Sequence, residues 1–535
     1  MGDANLPAVT YDSASGVVEM HGTPPSNRFL VGKDIMPTSK TQRTWGFWAY
    51  IGNWSVVVDA APFAVGGAAI ALGAPILTAI LISLVSIVFL YFLIAIQSHA
   101  ASRYGVAEPQ LERVRFGIYG AYIASLTRGI IALGWFGIQT YVFTEVADAF
   151  YFMAIGKTSE LTKVASLGPL AMFHTDPVLF IGTFIGVYFF EMLLMYLAKV
   201  EKSQQVVKWV LMANIPLAFI AFGAPWFVEM GMAGWNWSSI LSVTSPHITT
   251  AGYIAIFVLM NAVLADVITI SMSMPDLTRF ARTQKIQYLS QLAVIPMYFI
   301  VTTWGILAAA ASFRIYGFVI YDPVLMMTIS SSSIITKVFI LLLMAYGTYA
   351  VNVQANLLPP SYDFSNILPG KLSFWRGAVI AIIISLLIQG WALYYNAVSF
   401  LEGWLGLYGT FLGPIVGIIF LDYLIIRRFR FDVRQLYYSK GQFRYLGGFN
   451  PAAVISLAVA VAVLFAPIPG HAIMSDLSTF FGFGIAGVLY LLLMKFWVIP
   501  KYQPFLKGGL IHGYSTDELD ALFGGRTVHG GSENN

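Results

Sequence analysis

The chain contains no cysteine, and only 10% of its 535 residues are Asp, Glu, Lys or Arg. The first absence excludes disulfides, thiolate metal sites and a catalytic thiol. The second excludes a soluble globule, because so few charged groups cannot cover the surface of a chain this long. Histidine is scarce as well. The seven (His21, His99, His174, His247, His471, His512, His529) fall in loops or near the ends of apolar segments, so the usual proton carrier is missing from the apolar interior. There is no glycine-rich phosphate loop of the Walker type, which argues against coupling to ATP. No cluster of His or carboxylates at the end of an apolar segment suggests a membrane enzyme. The polar ends are too short and glycine-rich for a receptor's output domain. The first 44 residues show neither the basic start nor the apolar core of a cleavable signal.

What fills the chain instead is apolar. Hydrophobic types make up 58% of the sequence, and mean hydropathy is +0.74. A bilayer is therefore the solvent for most of the chain. A helix must bring about 20 mostly apolar residues to cross a hydrocarbon core of roughly 30 Å. Segments of this kind lie at 45–72, 76–97, 119–143, 178–198, 207–223, 250–274, 289–312, 334–358, 377–397, 404–426, 452–466 and 479–498. These twelve are called spans one to twelve below. The reading is an all-α polytopic membrane domain over 45–498, between a cytoplasmic N-terminal tail (1–44) and a cytoplasmic C-terminal tail (499–535). Both tails are expected to be mobile and dispensable for the fold.

Orientation follows from the basic residues. Of the 30 Lys and Arg, 25 fall in segments that share a side with the N-terminus, including six in 427–444 alone. Only Lys157, Lys163 and Arg314 fall on the other side. The positive-inside rule then puts both termini in the cytoplasm, and the plasma membrane is the expected location. The net charge of +4 is thus a matter of topology and carries no nucleic-acid footprint. Internal repetition is faint. Span one carries Asn53-Trp-Ser-Val-Val-Val-Asp59 with Pro62 and Gly66-Gly67 behind it; span six carries Asn261-Ala-Val-Leu-Ala-Asp266 with Pro275 behind it. In an inverted 5+5 repeat these two spans are partners, and both are expected to be interrupted beside a central site.

A family resemblance rests on six motifs in order. They are Asp34-Ile-Met-Pro37…Arg43-Thr44-Trp45; Arg113-Val-Arg-Phe116-Gly117; Arg128…Gly134-Trp135-Phe136-Gly137-Ile138-Gln139; Pro275-Asp276…Arg279-Phe-Ala-Arg282; Asn352…Ala355-Asn356-Leu357; and Gly413-Pro414-Ile415…Asp422-Tyr423…Arg427. Together they resemble the nucleobase–cation symporter-1 family from about residue 34 to about 450. The resemblance implies a twelve-helix fold made of a 5+5 repeat plus two helices. It also implies a secondary transporter of a planar nitrogenous heterocycle such as hydantoin, allantoin or a nucleobase, with no enzymatic activity and no cofactor beyond a coupling H+ or Na+. The partners expected are a small-molecule substrate and the lipid bilayer, with no nucleic acid and with the monomer as functional unit.

Trp135 and Gln139 lie four residues apart and share a helix face. An indole can stack on a flat ring, and a primary amide can both donate to and accept from a lactam edge. The resemblance makes Trp135 the stacking residue and Gln139 a hydrogen-bonding one; packing against lipid or backbone is the plain alternative. Asn352 and Asn356 also share a face. A buried amide is either helix-packing glue or a ligand contact. Asn356 falls on the family's substrate-binding position, whereas Asn352 reads as structural. Two departures stand out. Val267 occupies the place of the family's second Trp. Ala350 and Val351 occupy the places of the hydroxyl residues in its sodium site, leaving only carbonyls near Ser55, Val58 and Gly347.

Asp59 and Asp266 are placed to replace that ion. A charge at bilayer depth costs at least about 2.5 kcal/mol on insertion scales, so an acid there is functional by default. The alternative is a structural partner: Arg128, Lys337 or an exposed helix N-terminus. Glu191 in span four is assigned to packing. A cationic vitamin-like or amine substrate is the second transporter reading that the two acids allow. Readings of another class are a non-transporting receptor and a polytopic enzyme.

Overall fold

The computed structural model describes residues 7–22, 24, 30–31, 36–197, 204–243, 250–367, 372–504 and 506. Asp34, Ile35, Arg28, Lys33, Lys199, Lys202, His247, Lys371 and everything beyond 506 lie outside the described residues.

Each expected apolar segment is helical, with shifted ends. Nine helices among the described residues are long and apolar enough to cross a membrane. Span one is a bent pair, and spans nine (Phe374–Ile388) and eleven (Pro451–Phe465) are shorter apolar helices. Span two, Ile76–Tyr104, has no Pro, Gly or acid to stop it until Gly105, whose φ of +70° and N–H bond to the Ala101 carbonyl end the helix. Span three runs Ala121–Ala154, eleven residues past its expected end. Glu145 and Asp148 are therefore buried helix residues, where the sequence reading has an outer loop. The segment that follows carries a short helix, Thr158–Val164.

Span one breaks as expected. Helix Phe47–Asn53 tightens into a 3-10 turn at Trp54–Val57, stops at Val58 and Asp59, and restarts at Ala60–Ala71 with a 42° bend. The restart has a local cause. Asp59 takes extended geometry, and its Oδ1 accepts the Ala61 N–H at 3.0 Å. Pro62 sits in the first turn, where its missing N–H costs nothing.

Span six does not break. It is one helix from Thr250 to Thr278, so the expected interruption at Asp266 is absent. The physical reason is legible in retrospect: no Gly or Pro falls between Asn261 and Met274. Asp266 takes its hydrogen bond from the Tyr298 hydroxyl of span seven at 2.8 Å, not from freed backbone. Asn261, matched in the sequence to Asn53, instead accepts the Thr479 N–H at 2.9 Å at the start of span twelve. Asn53 bonds Gln354 of span eight at 2.8 Å.

The expected mobile tail is also corrected. Strands β1 (Ala8–Asp12) and β2 (Val17–His21) form an antiparallel hairpin whose Val17 and Val18 are buried. Arg43 is buried; it donates to the carbonyls of Ser102 and, at 3.2 Å, of Val18. Trp45 pairs backbone with Phe280 and Arg282 just past span six.

Five motif residues (Arg115, Arg128, Asp276, Asp422 and Arg427) sit in a buried ionic lattice made of two clusters, one around Arg128 and one around Asp422. Arg128 is 1% exposed and donates to Asp363 Oδ2 and Ser273 Oγ, both at 2.5 Å, with Asp276 at 3.5 Å and Glu108 at 3.8 Å. Asp422 accepts from Tyr490 at 2.7 Å and pairs with Arg427 at 3.4 Å and Arg115 at 3.9 Å. A buried guanidinium must be paired in this way, since removing one partner leaves an uncompensated charge. The lattice ties spans three, six, eight and ten to the helix Glu108–Phe116.

Candidate functional site

The break in span one faces a small cavity of about 20 Å³. Its wall includes Asp59 and Pro62 from span one, Trp135 and Gln139 from span three, Asp266 and Val267 from span six, and Val351 and Asn356 from span eight. Four spans thus bring to one place most of the residues singled out in the sequence. Ser55, Val58, Gly347, Ala350 and Asn352 stand outside this wall.

Gln139 Nε2 donates to Asp59 Oδ2 at 2.6 Å. When Asp59 is ionised, a bond of this kind is worth about 1.5–3 kcal/mol. The Gln139 Oε1 atom is buried without a partner, an acceptor held ready inside the cavity. Neither acid has a recorded ion pair with Arg128 or Lys337, the basic partners considered in the sequence reading. Arg128 belongs to the ionic lattice, and Lys337 donates to the Thr328 carbonyl at 2.8 Å. The helix N-terminus is a partner of Asp59, which caps it. Two carboxyl groups facing one small cavity suit positive charge, supplied as a proton or as a cationic ligand.

Asn352 is bonded to spans three and four. Its amide donates to Glu191 at 2.9 Å, Thr140 at 3.1 Å and the Phe136 carbonyl at 3.3 Å. Glu191 does more than pack, because it also accepts from Thr140 at 2.7 Å. Asn352 Oδ1 in turn accepts one N–H of the Asn356 amide at 3.2 Å, leaving its oxygen and its second N–H to offer a ligand. The π-helical turn Asn352–Leu357 rotates span eight at this point.

An aromatic surround that the sequence did not reveal holds Trp135. Phe400, Trp404 and Tyr408 of span ten meet the indole edge-on at ring distances of 6.2, 6.3 and 6.3 Å. Val267 leaves the other side of the cavity without an indole, so Trp404 buttresses Trp135 and does not complete a sandwich. Gly134 makes the contact possible, since a Cβ there would lie 2.6 Å from Trp404 Cζ2. Gly134→Ala is expected to destabilise the fold by about 1–3 kcal/mol through overpacking. Combining it with Trp404→Leu should cost clearly less than the two changes added, measured as denaturation midpoints in detergent. Strict additivity would show that the two side chains do not press on each other.

Beside Ser55 and Gly347 lies an amide that sequence reasoning missed. Asn214 of span five donates to the Ser55 carbonyl at 3.3 Å and to Ser55 Oγ at 3.1 Å. Ser55 Oγ donates to the Leu211 carbonyl at 3.0 Å. Gly347 packs beside the same amide: a Cβ built on it would lie 3.6 Å from Asn214 Oδ1. A neutral donor therefore engages a carbonyl that a cation would need. No sequence signal beyond an Asn in an apolar span pointed to it.

An interrupted helix beside a cavity lined by an indole, two amides and two acids, inside a bundle of apolar helices, defines a multi-pass membrane transporter. The chain belongs to the family described as permease for cytosine/purines, uracil, thiamine and allantoin, whose sequence profile matches residues 37–498. The chain is 26% identical to an allantoin permease of Bacillus subtilis over 474 residues, 88% of this chain and 94% of the relative. It is 25% identical to a hydantoin permease of Microbacterium maritypicum over 468 residues, 83% and 86% of the two chains. In fold it is similar to a nucleobase-cation-symport-1 family transporter solved in a closed conformation with bromovinylhydantoin bound, with a TM-score of 0.69 at 20% identity over 92% of this chain and 99% of that one. The protein is a transporter and not an enzyme.

Proposed function

We propose that the protein imports a planar, neutral nitrogenous heterocycle of the hydantoin, allantoin or nucleobase type by alternating access, driven by protons. Trp135 stacks on the ring, Gln139 and Asn356 bond its edge, and Asp59 carries the coupling proton. The observation that supports this most is the convergence of these four side chains on one cavity at the break in span one. The bonds recorded there leave an acceptor on Gln139 for a ring N–H. The protein is read as a monomeric plasma-membrane carrier with both termini in the cytoplasm, built as a 5+5 inverted repeat plus two helices. A cationic substrate is the second reading, favoured by Asp59 and Asp266 facing the same cavity; thiamine, one of the compounds the family is described as carrying, is such a cation.

Thermal-shift screening of the purified protein against hydantoins, allantoin, nucleobases and thiamine, each with sodium or choline, tests the reading. Neutral heterocycles are expected to stabilise the fold, and thiamine is not. Sodium is expected to leave their affinity unchanged, because Ala350 and Val351 bring no hydroxyl and Asn214 engages the Ser55 carbonyl. A coupled ion must raise substrate affinity by the same factor that substrate raises the ion's. Tightening by about tenfold or more in sodium would show a working sodium site.

A further inference from the structure

Span four, Pro177–Leu197, brings Glu191 to the bundle without placing it on the cavity wall. Glu191, Thr140, Asn352 and Asn356 are all buried, and recorded hydrogen bonds join them in a row. Asn352 Nδ2 donates to Glu191 Oε1 at 2.9 Å, and Asn352 Oδ1 accepts from Asn356 Nδ2 at 3.2 Å. Thr140 Oγ1 donates to the other Glu191 oxygen at 2.7 Å. Chemistry fixes the direction of the row. The Phe136 carbonyl, 3.3 Å from the Asn352 end that meets Glu191, can only accept, so that end is the nitrogen. The opposite end is then the oxygen, and the Asn356 atom that meets it is a nitrogen. Asn356 lines the cavity, and its oxygen and second N–H are left over, the pair that fits a lactam edge.

Span three shows the same device in a shorter form. There Asp59 takes the donor end of Gln139 at 2.6 Å, and the Gln139 oxygen is left over. Each cavity amide is thus backed by a carboxyl group, Gln139 directly and Asn356 through Asn352. We propose that Glu191 is a positioning residue for substrate recognition. It takes the donor end of Asn352, holds the Asn352 oxygen on Asn356, and so keeps the Asn356 oxygen free for an N–H on the edge of the ring. A buried acid in an apolar helix is costly, and packing alone would be served as well by an apolar side chain of similar volume. Without Glu191, Asn352 keeps only the longer bonds to Thr140 and Phe136, at 3.1 and 3.3 Å. The first of these fixes no direction, because a hydroxyl can donate or accept. This inference rests on Asn356 as a substrate contact.

The test is equilibrium binding to the full-length protein, using whichever of hydantoin, allantoin and uracil stabilises the native protein most. Glu191→Met removes both carboxyl oxygens and keeps an unbranched, adaptable side chain. It is expected to weaken binding about three- to tenfold, the worth of one hydrogen bond. Beside Asn356→Ala the same change should cost almost no affinity, because the group it positions is gone. Glu191→Gln should bind nearly as the native protein does, since its oxygen can accept from Asn352 while its NH2 donates to the Thr140 hydroxyl. Glu191→Leu repeats the cycle if the Met variant folds poorly. Equal losses of affinity with and without Asn356→Ala would make Glu191 a packing residue and overturn the inference. Native affinity in Glu191→Met would do the same, as would a Gln variant as weak as the Met one. Asn356→Ala alone tests the reading underneath. If it leaves affinity unchanged, or if none of the three rings binds, the contact at Asn356 fails and the positioning role with it.

Discussion

In Trp135→Ala, substrate affinity is expected to fall by on the order of 10- to 100-fold, with folded protein still reaching the membrane. Stacking of a flat base on an aromatic side chain is worth about 1–3 kcal/mol, and each 1.4 kcal/mol is about a factor of ten. The indole is 2% exposed, and its edge-on neighbours from span ten set its plane, so alanine removes both the stacking face and the wall. Trp135→Phe should recover part of the loss, because a smaller ring offers less overlap at the same place. Trp48, 67% exposed, is a suitable control whose replacement should leave binding intact. Uptake and equilibrium binding measured on the same membranes check the prediction. Near-normal affinity in Trp135→Ala would move the ring elsewhere.

Asp59→Asn is expected to separate binding from coupling. Asparagine caps a helix about as well as aspartate, so the restart at Ala60 keeps its bond to the Ala61 N–H. The Gln139 amide can still donate to the Asn oxygen, though to a neutral partner. Shape and binding should therefore survive. The carboxylate that accepts a proton is lost, and accumulation against a gradient should go with it. The measurement is counterflow between loaded vesicles beside uptake driven by an imposed pH difference. Loss of all binding would mean direct contact with the substrate and would favour a cation. Unchanged accumulation with an unchanged pH profile would make Asp59 a cap and nothing more.

The fold was legible because apolar runs of this length have few alternatives in lipid. The break at Asp59 was legible from a capping acid followed closely by a proline. The matching break in span six was not there, since Asp266 had neither Gly nor Pro beside it and could be satisfied by Tyr298. Much of the motif pattern turned out to be scaffold: Arg128, Asp276, Asp422 and Arg427 hold helices together by buried ion pairs. Trp135, Gln139, Ala355 and Asn356 are the motif residues that reach the cavity, and four-residue spacing was enough to find the first two. Trp404, Asn214 and Glu145 escaped notice for different reasons. Trp404 meets Trp135 across 269 residues of sequence, which spacing within one helix cannot report. Asn214 is a lone amide in an apolar run. Glu145 was assigned to a loop because span three continues past its most apolar stretch.

The position of the bound ring decides the matter most directly. A structure of the purified protein with a stabilising heterocycle should show the ring roughly parallel to the Trp135 indole, about 3.5–4.0 Å from it. One edge should lie within hydrogen-bond distance of Gln139 and Asn356, and Asp59 should be beside the ring and not under it. A ring held away from Trp135, or one whose only polar contacts are the carboxylates of Asp59 and Asp266, would contradict the assignment of this cavity to a neutral heterocycle.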